Sequence, residues 1–210
     1  MNCDIKYVEN FLNELEIEEY TNWINENVIW TQVQYPKYDK IIKTPRLTTC
    51  FGFHQDVYPS KYADYKIHKI PEKLMELKNK VENYLGESFN YILMSYYRDG
   101  NDSISYHSDD ERFLGKNPTI ASISMGQTRR FLLKHKETKE RISYDLVSGS
   151  LAVMGGNTQT DWMHSIPKTK KIVEPRINIT FRNMKMPSGS SNYYKYNRGK
   201  VLGTINSLKI

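Results

Sequence analysis

Between Tyr91 and Arg182 the chain carries eight short runs rich in β-branched and aromatic residues: YILMSYY, SISYHS, TIASISM, RRFLLKH, RISYDLV, SLAVMGG, WMHSIP and RINITFR. Gly, Asp, Asn or Pro punctuates them, so each reads as a strand ended by a turn. The gaps are too short to hold crossover helices, and neighbouring strands must therefore run antiparallel. Eight such strands predict a β-sandwich or jelly roll rather than a parallel α/β sheet. This one pattern excludes most other architectures for the second half of the chain.

The first half reads differently. FLNELEIEEYTNWINENVIW (11–30) alternates apolar and acidic residues at helical spacing and predicts one or two surface helices. In IPEKLMELKNKVENYLGES, Leu74, Leu77, Val81 and Leu85 share a face, Pro71 suits the first turn and Gly86 the stop. Segment 31–70 shows strand-like pieces without a clear pattern. The expected class is α+β: a jelly-roll core with N-terminal helices packed against it. A single domain over 1–186 is predicted, with 1–86 as a helical and substrate-lid region and 87–186 as the core. Residues 187–210, beginning with a Ser-rich stretch, read as a basic C-terminal tail.

No window approaches eighteen apolar residues, so no membrane partner is expected. Two cysteines, Cys3 and Cys50, cannot build a disulfide framework, and the N-terminus lacks signal-peptide character. An intracellular protein, nuclear or cytoplasmic, and a monomer, is the expectation. The net charge of +6 is unevenly spread: residues 1–30 carry seven acids against one lysine, whereas 175–210 carry seven Lys and Arg and no acid. A basic body favours a polyanionic partner, most simply nucleic acid.

YHSDDE (106–111) places three carboxylates together directly after a histidine and a serine. In a strand, residues i and i+2 point the same way, so His107 and Asp109 would offer an imidazole and a carboxylate side by side. His164, in a late strand of the core, is the best third ligand. Two histidines and one carboxylate make the facial triad of non-haem iron sites. The same spacing fits a strand-end histidine beside a solvated acidic turn. Further on, Arg176, Asn178, Thr180 and Arg182 alternate with Ile177, Ile179 and Phe181. Two arginines directed into a closed barrel require anions, and a dicarboxylate would suit them. An edge strand with its polar face in water would carry the same pattern.

Taken in order, NYILMSYYRDGNDSISYHSDDE, IASISMGQTRRFLLKHK, GSLAVMGG, WMHSIP and PRINITFR resemble the AlkB family of 2-oxoglutarate- and Fe(II)-dependent dioxygenases, in particular the branch that repairs alkylated nucleic acid. The resemblance covers about residues 85–183, and PRLTTCFG (45–52) resembles an upstream family segment. It implies a double-stranded β-helix, the jelly roll expected above, with Fe(II), 2-oxoglutarate and O2 as the cofactor set. His107, Asp109 and His164 would be the catalytic metal ligands. Arg176 would pair with the distal carboxylate of 2-oxoglutarate and Arg182 would lie near its chelating end, while Tyr97, Thr180, Asn178 and Ser95 complete that pocket. Ser95 is a departure, because the family reads N-x-Y where this chain has SYY (95–97).

The implied activity is oxidative removal of N-alkyl groups from damaged bases, with DNA favoured over RNA. An RNA or protein demethylase of the same chemistry, or an inactive jelly-roll nucleic-acid-binding module, are the alternatives. Asp110 and Arg46 fall at substrate-contacting positions. A base taken out of its stack needs an aromatic platform, for which Tyr35, Tyr38, Tyr58, Tyr62 and Tyr65 are candidates, Tyr58 being taken as the substrate contact. Trp162 is expected to support His164 from the core. His54, His68 and His135 are expected at the surface, and Glu111 to pair with Arg129 or Arg130.

Overall fold

A computed structural model of the protein describes residues 3–37, 40–53, 57–59, 64–171, 173–185 and 204–209, with the backbone alone at 35–37, 57–59, 64–66, 112 and 204–209. All eight predicted strands form. They are β7 (Tyr91–Tyr97), β8 (Ile104–His107), β9 (Ile120–Gly126), β10 (Arg129–His135), β11 (Arg141–Leu146), β12 (Leu151–Met154), β13 (Trp162–Ile166) and β14 (Arg176–Arg182). They divide between two sheets. The small sheet has the order β11-β10-β13-β8, and the large one contains β12-β9-β14-β7 in that order. Every pairing among these eight strands is antiparallel, and the two sheets form the layers of the expected jelly roll.

The N-terminal region contributes more strand than its sequence suggests. β1 (Ile5–Val8) pairs with β12 and caps one edge of the large sheet. At the other side β4 (Leu47–Gly52) pairs with β7, and β2 (Ile29–Lys37) with β4. β3 (Lys40–Lys43) folds back on β2, while β5 (Val57–Pro59) and β6 (Asp64–Lys69) extend from β4. The segment 204–209, β15, also lies on β2, so part of the expected tail is a sheet strand. Residues 186–203, with the basic and aromatic run NYYKYNRGK, lie outside the described residues.

The helices form where the pattern places them. α1 (Glu14–Asn27) opens with a reciprocal cap: Asn13 Oδ1 accepts from Glu16 N and Glu16 Oε2 accepts from Asn13 N, both at 3.0 Å. α2 (Glu72–Leu85) starts after Pro71 and ends at Gly86, whose φ of +69° is a left-handed stop that glycine adopts without a Cβ penalty. Buried Tyr20 and Ile24 of α1 and Leu74, Leu77 and Val81 of α2 pack with Ile177, Ile179 and Phe181 of β14. Both helices therefore cover the outer face of the large sheet. A second apolar cluster, including Tyr97, Phe131, Leu133, Trp162 and Ile166, fills the space between the sheets. Lys73–Glu19 and Lys80–Glu16 join the helices at the rim, where ion pairs contribute about 1 kcal/mol or less.

Leu77 is fully buried where α2 meets the sheet. Leu77→Ala should lower unfolding free energy by about 2–5 kcal/mol, read from urea denaturation midpoints, while leaving the remote cavity chemistry in place.

Candidate metal centre and anion pocket

β8 and β13 are distant in sequence yet adjacent in the small sheet, and their register sets His107 directly opposite His164. β8 ends at His107, so Asp109 lies just beyond the strand rather than within it. One ligand atom from each of His107, Asp109 and His164 falls within 4.8 Å of the others, an arrangement one metal ion can bridge. His107 Nδ1 lies 2.9 Å from the Ser105 carbonyl oxygen. A carbonyl only accepts, so the proton sits on Nδ1 and the Nε2 lone pair is free to ligate. That nitrogen is 3.7 Å from Asp109 Oδ1.

The protonation states suit a cation. Burial, aided by the positive influence of His107, drives His164 down to about 3, against the opposing pull of Asp109. Burial also lowers His107, though 32% of its side chain reaches solvent and softens the effect. For Asp109 burial alone would raise the carboxyl, but Arg182 and the two imidazoles outweigh it and hold it below the usual range. At neutral pH the cluster is thus two neutral imidazoles and one carboxylate, the forms that bind metal. Arg182 Nη2 donates to Asp109 Oδ2 at 2.7 Å, and both side chains are almost wholly buried.

A cavity of about 450 Å³ opens beside the triad, well within the range of small-molecule sites. Arg176, Asn178, Thr180 and Arg182 of β14 all line it, which fixes the inward face of that strand. Arg176 is 1% exposed, and its Nη2 donates to Ser124 Oγ at 2.8 Å. Nε and Nη1 are buried without a hydrogen-bond partner among the described residues. Burial pushes this guanidinium down to about 10, with Tyr97 counteracting. Its carbon lies 5.2 Å from the Tyr97 ring centroid, and that of Arg129 lies 5.7 Å from the same ring. A dry cation without an anion costs several kcal/mol, so the pocket fits a ligand that brings a carboxylate. Ser95 and Tyr97 line the same wall, and Asn178 donates to Ser122 Oγ at 2.7 Å and to the Ile123 carbonyl at 2.9 Å.

The substrate-side residues are placed less uniformly. Arg46 lines the cavity beside Tyr106 and donates to the Ser103 carbonyl at 3.5 Å. Asp110 is exposed in the turn, and its neighbour Glu111 forms the cavity wall instead. The side chains of Tyr35, Tyr38, Tyr58, Tyr62 and Tyr65 lie outside the described residues, as does His54.

One expectation is corrected. His135 is buried, not at the surface: its Nδ1 accepts from Glu137 N and Thr138 N at 3.2 and 3.1 Å, closing the β10–β11 turn, and its ring meets Trp162 edge-on. Arg129 donates to the carbonyls of Asp99, Asp102 and Pro167, and Arg130 pairs with Asp145. Sequence reasoning also missed Gln159, whose Oε1 accepts from Asp109 N at 2.8 Å. A buried glutamine five residues before a metal-ligand candidate is visible only after the turn's fold is known.

Residues 4–182 match the family model described as the 2OG-Fe(II) oxygenase superfamily. The chain is 37% identical over 183 residues to alpha-ketoglutarate-dependent dioxygenase alkB homolog 3 of Bos taurus, covering 83% of this chain and 64% of that protein. It is 39% identical over 119 residues to DNA oxidative demethylase ALKBH2 of Bos taurus, covering 53% and 43%. The chain thus spans somewhat under two thirds of the alkB homolog 3 relative. A solved structure of OsALKBH1 superposes with a TM-score of 0.61 at 17% identity, over 87% of this chain and 99% of that one, a likeness of fold.

The depressed His164 has a stability consequence in the metal-free protein. The unfolded chain takes up this proton near the ordinary histidine pKa of about 6.5, whereas the folded chain resists until about 3. The stabilisation is present above about pH 6.5 and is lost progressively as pH falls toward 3. Urea midpoints of the metal-free protein should fall from pH 7 to pH 5, and His164→Gln should flatten that dependence.

Proposed function

The chain belongs to the 2OG-Fe(II) oxygenase superfamily, in its AlkB branch, and on that premise we propose that it removes N-alkyl groups oxidatively from nucleic-acid bases. The carrying observation is the conjunction, in one cavity, of the His107–Asp109–His164 cluster and a buried Arg176 whose Nε and Nη1 lack hydrogen-bond partners among the described residues. A metal site alone would serve many reactions. A metal site facing a buried guanidinium with no ion pair among the described residues asks for a chelating acid that also carries a second carboxylate, and 2-oxoglutarate has that form.

In this reading His107, Asp109 and His164 would hold Fe(II), which with 2-oxoglutarate and O2 would supply the oxidation of a C–H bond, the cosubstrate leaving as succinate and carbon dioxide. The protein's own groups do the positioning. Arg182 keeps Asp109 ionised and fixes one of its oxygens, leaving Oδ1 turned toward His107. Arg176, with Ser124 orienting its fork, would take the distal carboxylate. Asn178 is held by Ser122 and Ile123, and Ser95 opposite it in the β7–β14 register presents a shorter polar group than the family's asparagine. Leu93, Ile104, Phe131 and Ile166 supply apolar walls that limit water at the reacting carbon. The N-hydroxymethyl base that results from oxidation of a methyl group loses formaldehyde on its own.

The base must leave its stack to reach into the cavity, which favours single strands or flipped bases. Arg46 at the cavity and the excess of basic residues beyond Pro175 suit a phosphate backbone. DNA is the preferred substrate in this proposal, since the relative named as a DNA oxidative demethylase shares 39% identity over the aligned region.

The test is incubation with Fe(II), 2-oxoglutarate and N-methylated DNA and RNA oligonucleotides, with bases and succinate followed by mass spectrometry. Loss of methyl from DNA is expected, abolished by Asp109→Ala. Succinate without any demethylated base would overturn the substrate and leave the cofactor reading intact, and methyl loss from RNA alone would move the substrate to RNA. Arg176→Met removes charge-assisted hydrogen bonds of about 1.5–3 kcal/mol and should raise the KM for 2-oxoglutarate about 10- to 100-fold.

A further inference from the structure

The two segments that carry the metal-ligand cluster are not held together by the sheet alone. β8 stops at His107, so Asp109 has left the ladder and its backbone N–H has no strand partner. That N–H is buried and donates to Gln159 Oε1 at 2.8 Å. Gln159 sits in α3 (Thr158–Asp161), the single turn that leads directly into β13 and His164. A side chain from one ligand segment therefore grips the main chain of the other. We propose that Gln159 is a positioning residue for the metal centre, setting the place of Asp109 relative to His164 and thereby the affinity for a divalent cation.

Several features make Gln159 more than a convenient filler. It is 1% exposed, so its amide cannot exchange the bond for water. Its other end, Nε2, faces Met154 Sδ at 3.4 Å, a weak acceptor. Turning the amide over would set two donors against each other at Asp109 N, so the carbonyl orientation is enforced. The turn itself is pinned. Lys136 Nζ donates to the carbonyls of Gln159 and Thr160 at 2.9 and 2.7 Å, Lys136 N donates to Asp161 O, and Thr158 Oγ1 donates to Asp4 O at 2.9 Å. Beside it, Ser108 Oγ donates to the Trp162 carbonyl at 2.8 Å, a second tie between the same segments. Arg182 fixes the carboxylate of Asp109, and Gln159 fixes its backbone. Removing the second constraint leaves the first to hold a residue that has lost its place in the chain path.

The inference rests on the metal reading above, and one titration separates the two. Mn(II) is added to the 210-residue protein and free ion is followed by electron paramagnetic resonance, with circular dichroism recording the fold. Wild type should bind and Asp109→Ala should not. Gln159→Met keeps volume but removes the acceptor and should weaken Mn(II) binding about 10- to 100-fold, the usual scale for a group that orients a ligand. Gln159→Glu restores an acceptor oxygen and should recover most of the loss. Thr160→Ala deletes only the exposed bond from the same turn to Asn117, and should leave affinity unchanged. Wild-type affinity in Gln159→Met, or equal weakening in Thr160→Ala, or no recovery in Gln159→Glu, would overturn the role of Gln159 while the metal centre stood. Absence of Mn(II) binding by wild type would overturn both.

Discussion

The buried bond between Arg182 and Asp109 is the constraint on which the rest of the site depends. It joins the middle of the large sheet, where β14 lies between β7 and β9, to the segment leaving β8 of the small sheet. Neither charge is tolerable alone in that dry space, where each would cost several kcal/mol. Together they fix the inward face of β14. Once Arg182 points in, the two-residue period sends Thr180, Asn178 and Arg176 in as well, and sends Ile177, Ile179 and Phe181 out to the helices. Arg176 and Arg182 begin roughly 20 Å apart along the strand, and both long side chains line a single cavity.

The two sheets divide the chemistry between them. The small sheet and the turns next to it supply His107, Asp109 and His164, while the large sheet supplies the guanidiniums and the hydroxyl and amide groups around them. A ligand that chelates at one end and carries an acid at the other spans the space between layers. Helices α1 and α2 take no direct part, since they cover the opposite face of the large sheet. Their contribution is to bury the outward apolar side chains of β14, which prevents that strand from rotating its arginines into water.

Much of this was legible in the sequence because it depends on local period. Eight strands in the second half declared themselves by alternation and by turn residues, and the inward set of β14 followed from counting by two. His107 and Asp109 were legible as a pair for the same reason, although the strand ends between them and the pairing rule held only because the following turn keeps Asp109 inward. What was not legible depends on distant partners. β1 is a short mixed sequence that becomes a strand only because β12 offers an open edge. His135 sits in a stretch of lysines that looks solvated, yet the hairpin turn closes over its Nδ1 and Trp162 closes over its ring. Gln159 carries no local signal at all, since its partner is fifty residues away in sequence.

The three consecutive acids after His107 illustrate how one turn separates like charges. Asp109 is buried and neutralised by Arg182, Asp110 is exposed, and Glu111 lies at the cavity wall. Repulsion within DDE is therefore eased by sending the side chains into different surroundings, with Asp109 buried against Arg182 and Asp110 in solvent. Asp109 is the one of the three that groups with the imidazoles. That placement takes the chain out of the strand ladder at Ser108, and leaving the ladder exposes the N–H of Asp109 to the need for a new acceptor. The glutamine in the turn before His164 meets that need. The acidic run, the strand end and the buried amide are thus one solution to placing a single carboxylate between two histidines.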